Sequence, residues 1–224
     1  MIELQALDKT YLLGTRPLHV LDQVSLSISA GEYIAITGPS GSGKSTLLNM
    51  IGLLDRPDSG RYLLNGQATE ALSEEARATL RREHIGFIFQ AFHLIPRLNA
   101  FENVALPLVL AELSRAQRRT RVADVMAQVG LADQVDQRPS QLSGGQMQRV
   151  ATARAIVMQP DLLLADEPTG NLDQQSGLEV MALLESLNAQ GMTLLLVTHD
   201  PVLAGRSKRQ LSLVDGRIVS DVRR

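Results

Sequence analysis

Apolar and polar residues alternate along the first part of the chain, and short continuous apolar runs replace that alternation further on. Residues 24–28 read VSLSI, and this period of two predicts antiparallel strands with one buried face. Residues 162–165 and 194–197 are wholly apolar, which is typical of strands buried on both faces of a parallel sheet. A helical segment from about 176 to 190 lies between those runs. We therefore predict an α/β fold with a mostly parallel sheet and an antiparallel N-terminal subdomain.

Further strands are predicted on both sides of this unit. Residues 33–37 form a β-rich run that leads into a glycine-rich loop, and a helix is expected from 45 to about 54. Residues 85–89 predict another strand, and residues 207–222 predict two short strands joined by an Asp-Gly turn. Strand, glycine loop and helix follow one another in the order that a phosphate-binding loop requires.

The centre of the chain has a helical pattern instead. Ser114 is a candidate cap, and apolar residues then recur with the spacing i, i+3, i+4, i+7 before Gly130 ends the helix. These apolar residues are Val122, Val125, Met126 and Val129. Ser143 is a candidate cap for a second helix that runs to about Met158. We interpret residues 91–158 as a helical subdomain inserted into a single domain of residues 1–224.

Composition limits the classes of function. The 22 Lys and Arg residues and 24 Asp and Glu residues give a net charge of −2, so the chain has no overall attraction to nucleic acid or to an anionic membrane. The absence of cysteine excludes disulfides, a thiolate nucleophile and a cysteine metal site. No signal peptide is expected, because no basic segment precedes an apolar one at the start. No apolar run approaches the ~18 residues of a membrane span, so we expect another chain to supply spanning helices if this protein works at a membrane.

The glycine-rich segment after the first buried strand fits the phosphate-loop pattern G-x-x-x-x-G-K-[ST]. Its residues are Gly38, Pro39, Ser40, Gly41, Ser42, Gly43, Lys44 and Ser45, followed by Thr46. Glycines let several backbone N–H groups point at one anion, and the following helix adds its positive end. Lys44 then supplies a charge for the outer phosphates, and Ser45 supplies a hydroxyl ligand for Mg²⁺. The alternative, a glycine turn with a chance Lys-Ser, leaves the flanking strand and helix unexplained.

Two carboxylates, Asp166 and Glu167, follow the apolar run 162–165. Open α/β sheets bind ligands at the carboxyl ends of their strands. Asp166 is therefore a candidate partner for magnesium and Glu167 a candidate general base. The competing interpretation is a surface turn with Pro168. A phosphate loop upstream favours the first interpretation, because such enzymes need an acidic magnesium partner.

Three further residues are candidates by position. His199 follows the apolar run 194–197 and is expected to reach the terminal phosphate. Without the other motifs, the simpler interpretation is a histidine in an Asp-Pro turn. Gln90 ends a predicted strand, where its amide can bind Mg²⁺ and orient water, and the alternative is a polar strand terminus. Tyr11 precedes the first core strands, where its ring can stack on adenine, yet a lone tyrosine is more often a packed side chain.

A second glycine-rich string stands at the start of the helix that Ser143 caps. Its residues are Leu142, Ser143, Gly144, Gly145 and Gln146. A capped helix N-terminus with two glycines is a second anion site, and one chain has no second phosphate to place there. We therefore expect a two-fold dimer in which each Ser143 meets the terminal phosphate held by the other copy. The alternative is a simple cap and turn.

In the order and spacing of these motifs, the chain resembles the ATP-binding subunits of ABC transporters along nearly its whole length. The matching motifs are the aromatic loop at Tyr11, Walker A at 38–46, the Q-loop at Gln90, the signature at 142–146, Walker B with the catalytic glutamate at 162–167, the D-loop at 171–173 and the switch histidine at His199. The resemblance implies a P-loop ATPase that uses ATP and Mg²⁺. It places Ser45, Gln90 and Asp166 at the metal, and it places Lys44, Glu167 and His199 at the reacting phosphate.

Finer strings resemble the lipoprotein-releasing and macrolide-exporter type of this family. They are residues 86–90, the string EPTGNLD at 167–173, and Tyr11 with Gly14 in a long early loop. This implies a peripheral ATPase at the cytoplasmic face of the inner membrane that powers a separate integral membrane permease. Some members act with a periplasmic adaptor and an outer-membrane channel. A related cell-division complex uses the same ATPase without evident transport, so that role stays open.

Rival classes share parts of this pattern. A DNA-repair or chromosome-organising ATPase would carry a long coiled coil, whereas the stretch between Gln90 and Leu142 is too short for one and lacks heptads. A translation-associated ABC protein would carry two cassettes, and this chain has room for one. A P-loop kinase or GTPase would leave residues 142–146 unexplained. We therefore expect no nucleic-acid partner.

Overall fold

The computed structural model describes residues 1–223, which fall into two compact units. Unit 1 consists of residues 1–81 together with the chain from Gly191 onward, and unit 2 consists of residues 82–190. The strands are β1 (Ile2–Leu13), β2 (Arg16–Ile28), β3 (Tyr33–Thr37), β4 (Ser59–Leu64), β5 (Gln67–Ala68), β6 (Ile85–Phe89), β7 (Leu162–Asp166), β8 (Thr193–Val197), β9 (Arg209–Val214) and β10 (Arg217–Arg223). The α-helices are α1 (Lys44–Ile51), α2 (Glu74–His84), α3 (Ala100–Leu110), α4 (Arg115–Gln128), α5 (Gly144–Ile156), α6 (Gln174–Ala189) and α7 (Pro201–Gly205).

Unit 1 combines an antiparallel sheet with a mainly parallel one. β1 pairs with β2 and with β4 in an antiparallel sheet of order β2-β1-β4-β5. β3 pairs in parallel with β8 on one side and with β9 on the other, and β10 pairs antiparallel with β9. Ile34, Ala35 and Ile36 of β3 are completely buried, as expected for an apolar strand with neighbours on both sides. Because β3 and β8 are parallel, their carboxyl ends lie at the same edge of this sheet.

Unit 2 combines a parallel strand pair with helices. β6 and β7 pair in register over their whole length, so that Phe89 lies opposite Asp166. Asn99, Ser114 and Ser143 each begin a helix with a capping box, in which the cap side chain and the third helical residue bond each other's backbone N–H. These reciprocal bonds fix where α3, α4 and α5 begin.

The α/β fold class is confirmed, and most predicted elements form. The strands at 33–37 and 85–89 have the predicted bounds, and Ser114 and Ser143 cap helices as expected. Three helices escape the sequence prediction, and one of them, α7, is only five residues long. α2 buries only Arg77 and so has no apolar stripe to reveal it, and α3 contains Pro107, which lacks the N–H of a regular helix interior.

The inserted helical subdomain at 91–158 stays a prediction. α3, α4 and α5 fall within that range, inside the larger unit 2. Within residues 1–223, no helix combines the length and the apolar character that crossing a bilayer requires.

Arg209 on β9 is 5% exposed and is held by two carboxylates of unit 1. Its Nε and Nη2 donate to Asp221 at 2.8 and 2.7 Å, and its Nη1 donates to Glu32 at 3.0 Å. The hydrogen bonds from Arg209 lower the pKa of the Asp221 carboxyl. A carboxyl with a depressed pKa stabilises the fold above its unfolded pKa, and that contribution is lost as the pH falls through the folded value.

We expect Asp221→Asn to lower the free energy of unfolding by about 1 kcal/mol at pH 7, because the amide leaves one side of the buried guanidinium without an ionic acceptor. The difference from the wild type should shrink below about pH 4, where the carboxyl protonates in the unfolded chain. Urea unfolding across this pH range measures both effects. Asp22→Asn is the matched control, since Asp22 pairs with Arg217, whose side chain is 68% exposed. Equal losses in both variants would contradict the prediction.

Candidate active site

The glycine-rich loop of residues 38–43 connects β3 to α1 in unit 1. α1 begins at Lys44, and its N-cap Gly43 provides no side-chain hydrogen bond to the first turn. The first N–H groups of a helix lack partners within the helix, and an uncapped helix start after a glycine loop is a ready anion site. The local sequence thus builds a backbone cradle of the predicted kind.

Gly43 is required by the geometry of this cradle. Its φ is +97°, a left-handed conformation that side chains disfavour. A Cβ at this position would lie 2.6 Å from the carbonyl oxygen of Val20. The loop therefore keeps its shape only without a side chain here.

Two polar side chains of the loop fit an anion. Lys44 Nζ donates to the carbonyl oxygens of Gly38 and Pro39 at 3.0 and 2.8 Å, which leaves one of its three N–H donors for a ligand. The Ser42 hydroxyl is buried and has no hydrogen-bond partner among the described residues. The loop thus holds the lysine charge in place while donors remain for phosphate.

The structure corrects the position of Tyr11. The sequence predicts that it precedes the core strands and lies in a long early loop. In the structure, Tyr11 lies within β1 and pairs with Leu18 of β2. From Thr10 onward the two strands pair in register up to Leu13 and Arg16, and the turn is confined to residues 14 and 15. The adenine-stacking role of Tyr11 stays a prediction at this corrected position.

The Tyr11 ring is fixed by its neighbours in unit 1. Its hydroxyl donates to Asp55 Oδ2 at 2.7 Å, and Lys9 Nζ lies 5.1 Å from the ring centroid. Burial, followed by the hydrogen bond to Asp55, raises the pKa of Tyr11 to about 12. The hydroxyl therefore stays protonated at neutral pH, and the ring is an oriented aromatic surface.

His199 lies at the same sheet edge as the phosphate loop. It follows β8, which is the parallel neighbour of β3, and the N–H of the preceding Thr198 donates to Ile36 O at 3.2 Å. Asp200 then caps α7 through the backbone N–H of Val202 at 2.7 Å. Ligands of α/β sheets bind at this edge, and the role of His199 at the terminal phosphate stays a prediction.

Unit 2 brings Gln90, Asp166 and Glu167 to one strand edge. Asp166 ends β7 opposite Phe89, so Gln90 and Glu167 are the next residues on adjacent parallel strands. Glu167 has a φ of +49°, a left-handed conformation that costs a non-glycine residue about 1 kcal/mol or more. Its carbonyl accepts from Gly170 N at 3.0 Å and so closes a turn. The candidate base thus stands on a strained, hydrogen-bonded corner.

Gln90 and Asn171 bond each other in both directions. Gln90 Nε2 donates to Asn171 Oδ1 at 3.3 Å, and Asn171 Nδ2 donates to Gln90 O at 3.0 Å. A Cβ on Gly170 would lie 2.7 Å from Gln90 Nε2, so a side chain at position 170 would displace the Gln90 amide. The predicted Q-loop and D-loop residues therefore meet directly.

The residues predicted as a second anion site lie at the start of α5, and their anion-binding role stays a prediction. Ser143 Oγ accepts from Gln146 N at 3.2 Å, and Gln146 Oε1 accepts from Ser143 N at 2.9 Å. The exposed Ser143 hydroxyl keeps its proton for donation to a ligand. A Cβ on Gly144 would contact Leu172 at 3.4 Å, so the signature lies beside the loop of residues 171–173.

Sequence reasoning missed two polar residues of α5 in unit 2. Gln148 is completely buried and donates to the backbone beside Gln90 and Glu167. Arg154 donates to the carbonyl oxygens of Phe92 and His93. These four hydrogen bonds join residues that are 20 to 62 positions apart. The sequence signal, polar residues among the buried positions of a helix, is visible only once the buried face is known.

A family model described as ABC transporter matches residues 21–170. Among curated proteins, the chain is 49% identical over 221 residues to the "Macrolide export ATP-binding/permease protein MacB 1" of Yersinia pestis bv. Antiqua (strain Antiqua). The identity is 50% to the "Macrolide export ATP-binding/permease protein MacB" of Burkholderia pseudomallei (strain K96243) and 51% to the "MacB 2" protein of Aeromonas hydrophila subsp. hydrophila. Each match covers 99% of this chain and 34% of the relative. The chain thus spans about a third of the length of these relatives.

Among solved structures, the chain matches one described as "Dimeric Structure of MJ0796, a Bacterial ABC Transporter Cassette". The TM-score is 0.91 and the identity is 42%, over 100% of this chain and 98% of that cassette. A second structure of the same cassette is described as the dimeric post-hydrolysis state bound to ADP and Pi, and it matches with the same scores.

Proposed function

This chain belongs to the ABC transporter family, and we propose that it binds ATP with Mg²⁺ and hydrolyses ATP to power a membrane permease. The observation that carries the proposal is the start of α1. A first turn without a side-chain cap, bearing Lys44, follows the glycine loop after β3, as in triphosphate-binding loops. The related cassette described with ADP and Pi supports the same ligand class here.

We assign residues 38–46 to the phosphates and Tyr11 to the adenine. Ser45, Gln90 and Asp166 are assigned to Mg²⁺, Asp166 through the water shell of the ion, because these side chains offer the oxygen ligands that Mg²⁺ prefers. The ion would neutralise charge on the outer phosphates. Lys44 supports the same charge from the protein side.

Glu167 is assigned as the general base and His199 as the residue that orients the attacking water and the terminal phosphate. Glu167 accepts a proton while the water oxygen bonds to the γ-phosphorus. The bond from that phosphorus to the bridging oxygen breaks, and ADP and phosphate leave. The fixed corner at Glu167 suits this role, since a base must be held within hydrogen-bond reach of its water.

A second copy of the chain is the proposed partner in hydrolysis. Ser143, Gly144, Gly145 and Gln146 of one copy would close over the γ-phosphate bound at Lys44 of the other, and two-fold symmetry would use this contact twice. The dimeric description of the related cassette supports this arrangement. Hydrolysis removes the bridging charge, so the dimer opens and the cycle shifts the permease between conformations.

The relatives named macrolide export ATP-binding/permease proteins support the transporter type. We propose that this ATPase works at the cytoplasmic face of the inner membrane as a peripheral subunit. Its direct partner would be an integral membrane permease of the lipoprotein-release or macrolide-export type. A periplasmic adaptor and an outer-membrane channel would complete the assembly.

We expect the purified chain to release phosphate from ATP at a rate per protomer that rises with protein concentration, because the dimer is the active form. Chelation of Mg²⁺ should lower this rate by at least about 100-fold. A steady-state phosphate-release assay with and without EDTA measures both effects. Absent hydrolysis, or hydrolysis insensitive to EDTA, would overturn the ATPase assignment. Stimulation by a reconstituted permease of the macrolide-export type tests the transport role separately.

A further inference from the structure

Gln148 on α5 contacts the backbone on both sides of the candidate hydrolysis residues. Its Nε2 donates to Phe89 O at 3.2 Å and to Pro168 O at 2.7 Å. Phe89 immediately precedes Gln90, and Pro168 immediately follows Glu167. One amide group therefore joins the two chain segments that carry these residues.

The burial of Gln148 makes these bonds consequential. The residue is completely buried, and its Oε1 has no hydrogen-bond partner among the described residues. Burying an amide is unfavourable unless hydrogen bonds compensate. An apolar side chain of similar size would fill the same space at less cost. The two donated hydrogen bonds therefore explain why an amide side chain occupies this position.

The segment at Pro168 needs such a restraint. Glu167 holds a left-handed φ of +49°, and a strained conformation persists only where its surroundings over-determine it. The turn bond from Gly170 N to Glu167 O supplies one restraint at 3.0 Å. The bond from Gln148 to Pro168 O supplies another, from a different element.

A second side chain of α5 holds the other flank of Gln90. Arg154 Nη1 donates to His93 O at 2.6 Å, and its Nη2 donates to Phe92 O at 3.0 Å. Gln148 thus binds the backbone just before Gln90, and Arg154 binds it just after. The same helix begins at the Ser143 cap, so its side chains link Gln90 and Glu167 to the signature.

We propose that Gln148 is a positioning residue for ATP hydrolysis, whose amide sets Gln90 and Glu167 in one geometry relative to α5. The inference rests on the proposed ATPase function for its catalytic consequence. Its structural consequence stands without that function. Loss of the amide leaves nucleotide binding at the phosphate loop intact but lets the two segments move, and small misplacements of reacting groups have large effects on rate.

Gln148→Met keeps the volume of the side chain and removes both donors. We expect kcat for ATP hydrolysis to fall by about 10- to 100-fold, while KM for ATP changes by less than about 3-fold. Hydrogen exchange should increase in peptides that cover 89–93 and 167–171. Thr152→Val is the matched control, because Thr152 is equally buried on α5 but its Oγ1 donates only to Gln148 O within the helix, at 2.9 Å. The control should keep the wild-type kcat and exchange.

The two readouts separate failure of the inference from failure of the proposed function. A wild type that does not hydrolyse ATP overturns the ATPase, while the exchange data still decide whether Gln148 holds the two segments. Wild-type exchange at 89–93 and 167–171 in Gln148→Met overturns the positioning role. Equal loss of kcat in Thr152→Val also overturns it, since general damage to α5 would then suffice. If Gln148→Met does not fold, Gln148→Asn decides, because it keeps an amide that is one methylene too short to reach both carbonyls.

Discussion

Glu167→Gln is expected to lower kcat for ATP hydrolysis by about 10²- to 10³-fold and to change ATP affinity by less than about 3-fold. The amide is nearly isosteric with the carboxylate but cannot accept the proton of the attacking water. The position of the group should survive, because the substitution leaves two restraints in place: the bond from Gly170 N to Glu167 O and the bond from the Gln148 side-chain amide to Pro168 O. The loss therefore falls on the chemical step.

A blocked chemical step should trap the closed state. With ATP and Mg²⁺, Glu167→Gln is expected to elute as a dimer in size-exclusion chromatography under conditions where the wild type turns over and separates. Glu75→Gln is the matched control, since Glu75 is an exposed carboxylate in the first turn of α2. Normal turnover in Glu167→Gln would remove Glu167 as the base. Dimer accumulation in Glu75→Gln as well would show that charge, rather than the blocked step, drives association.

The parts of the site that were predictable from sequence are those set by local chemistry. The loop before Lys44 needs glycine at fixed offsets, and the Ser143 box needs a hydroxyl and an amide three residues apart. Such requirements involve neighbouring residues, so the order and spacing of residues in the sequence reveal them. The strand at 85–89 is predictable in the same way, because an apolar run indicates the strand and the polar residue after the run indicates where the strand ends.

The parts that escaped prediction depend on pairing with another segment or run against a local signal. Tyr11 belongs to β1 because Leu18 pairs with it across a hairpin, and alternation does not show where a strand gives way to a turn. α3 continues to Leu110 despite Pro107, with the Asn99 box fixing its start. Gln148 gains its role from two carbonyls 59 and 20 residues away. A helix pattern predicts the helix, but not which polar side chain meets which backbone.

Mixing two inactive variants is expected to restore hydrolysis, because each proposed site takes Lys44 from one copy and Ser143 from the other. Lys44→Ala and Ser143→Arg should each lower the rate by at least about 100-fold on their own, through loss of phosphate stabilisation in the first and obstruction of the anion site in the second. In a mixed dimer, one site combines the intact Lys44 of one copy with the intact Ser143 of the other. The second site collects both defects.

Random pairing of equal amounts gives about half mixed dimers, each with one competent site of two, so the mixture should recover about a quarter of the wild-type rate if the sites act independently. The matched control mixes Lys44→Ala with Glu167→Gln. In the proposed arrangement, Lys44 and Glu167 of one site both come from the same copy. Every site in that mixture keeps one defect, so no recovery is expected. Differently tagged subunits that co-purify establish that mixed dimers form in both cases. Recovery of hydrolysis in the control, or no recovery in the first mixture, would mean that a site is not divided between copies in this way. Only a divided site makes the recovery depend on which two substitutions are combined.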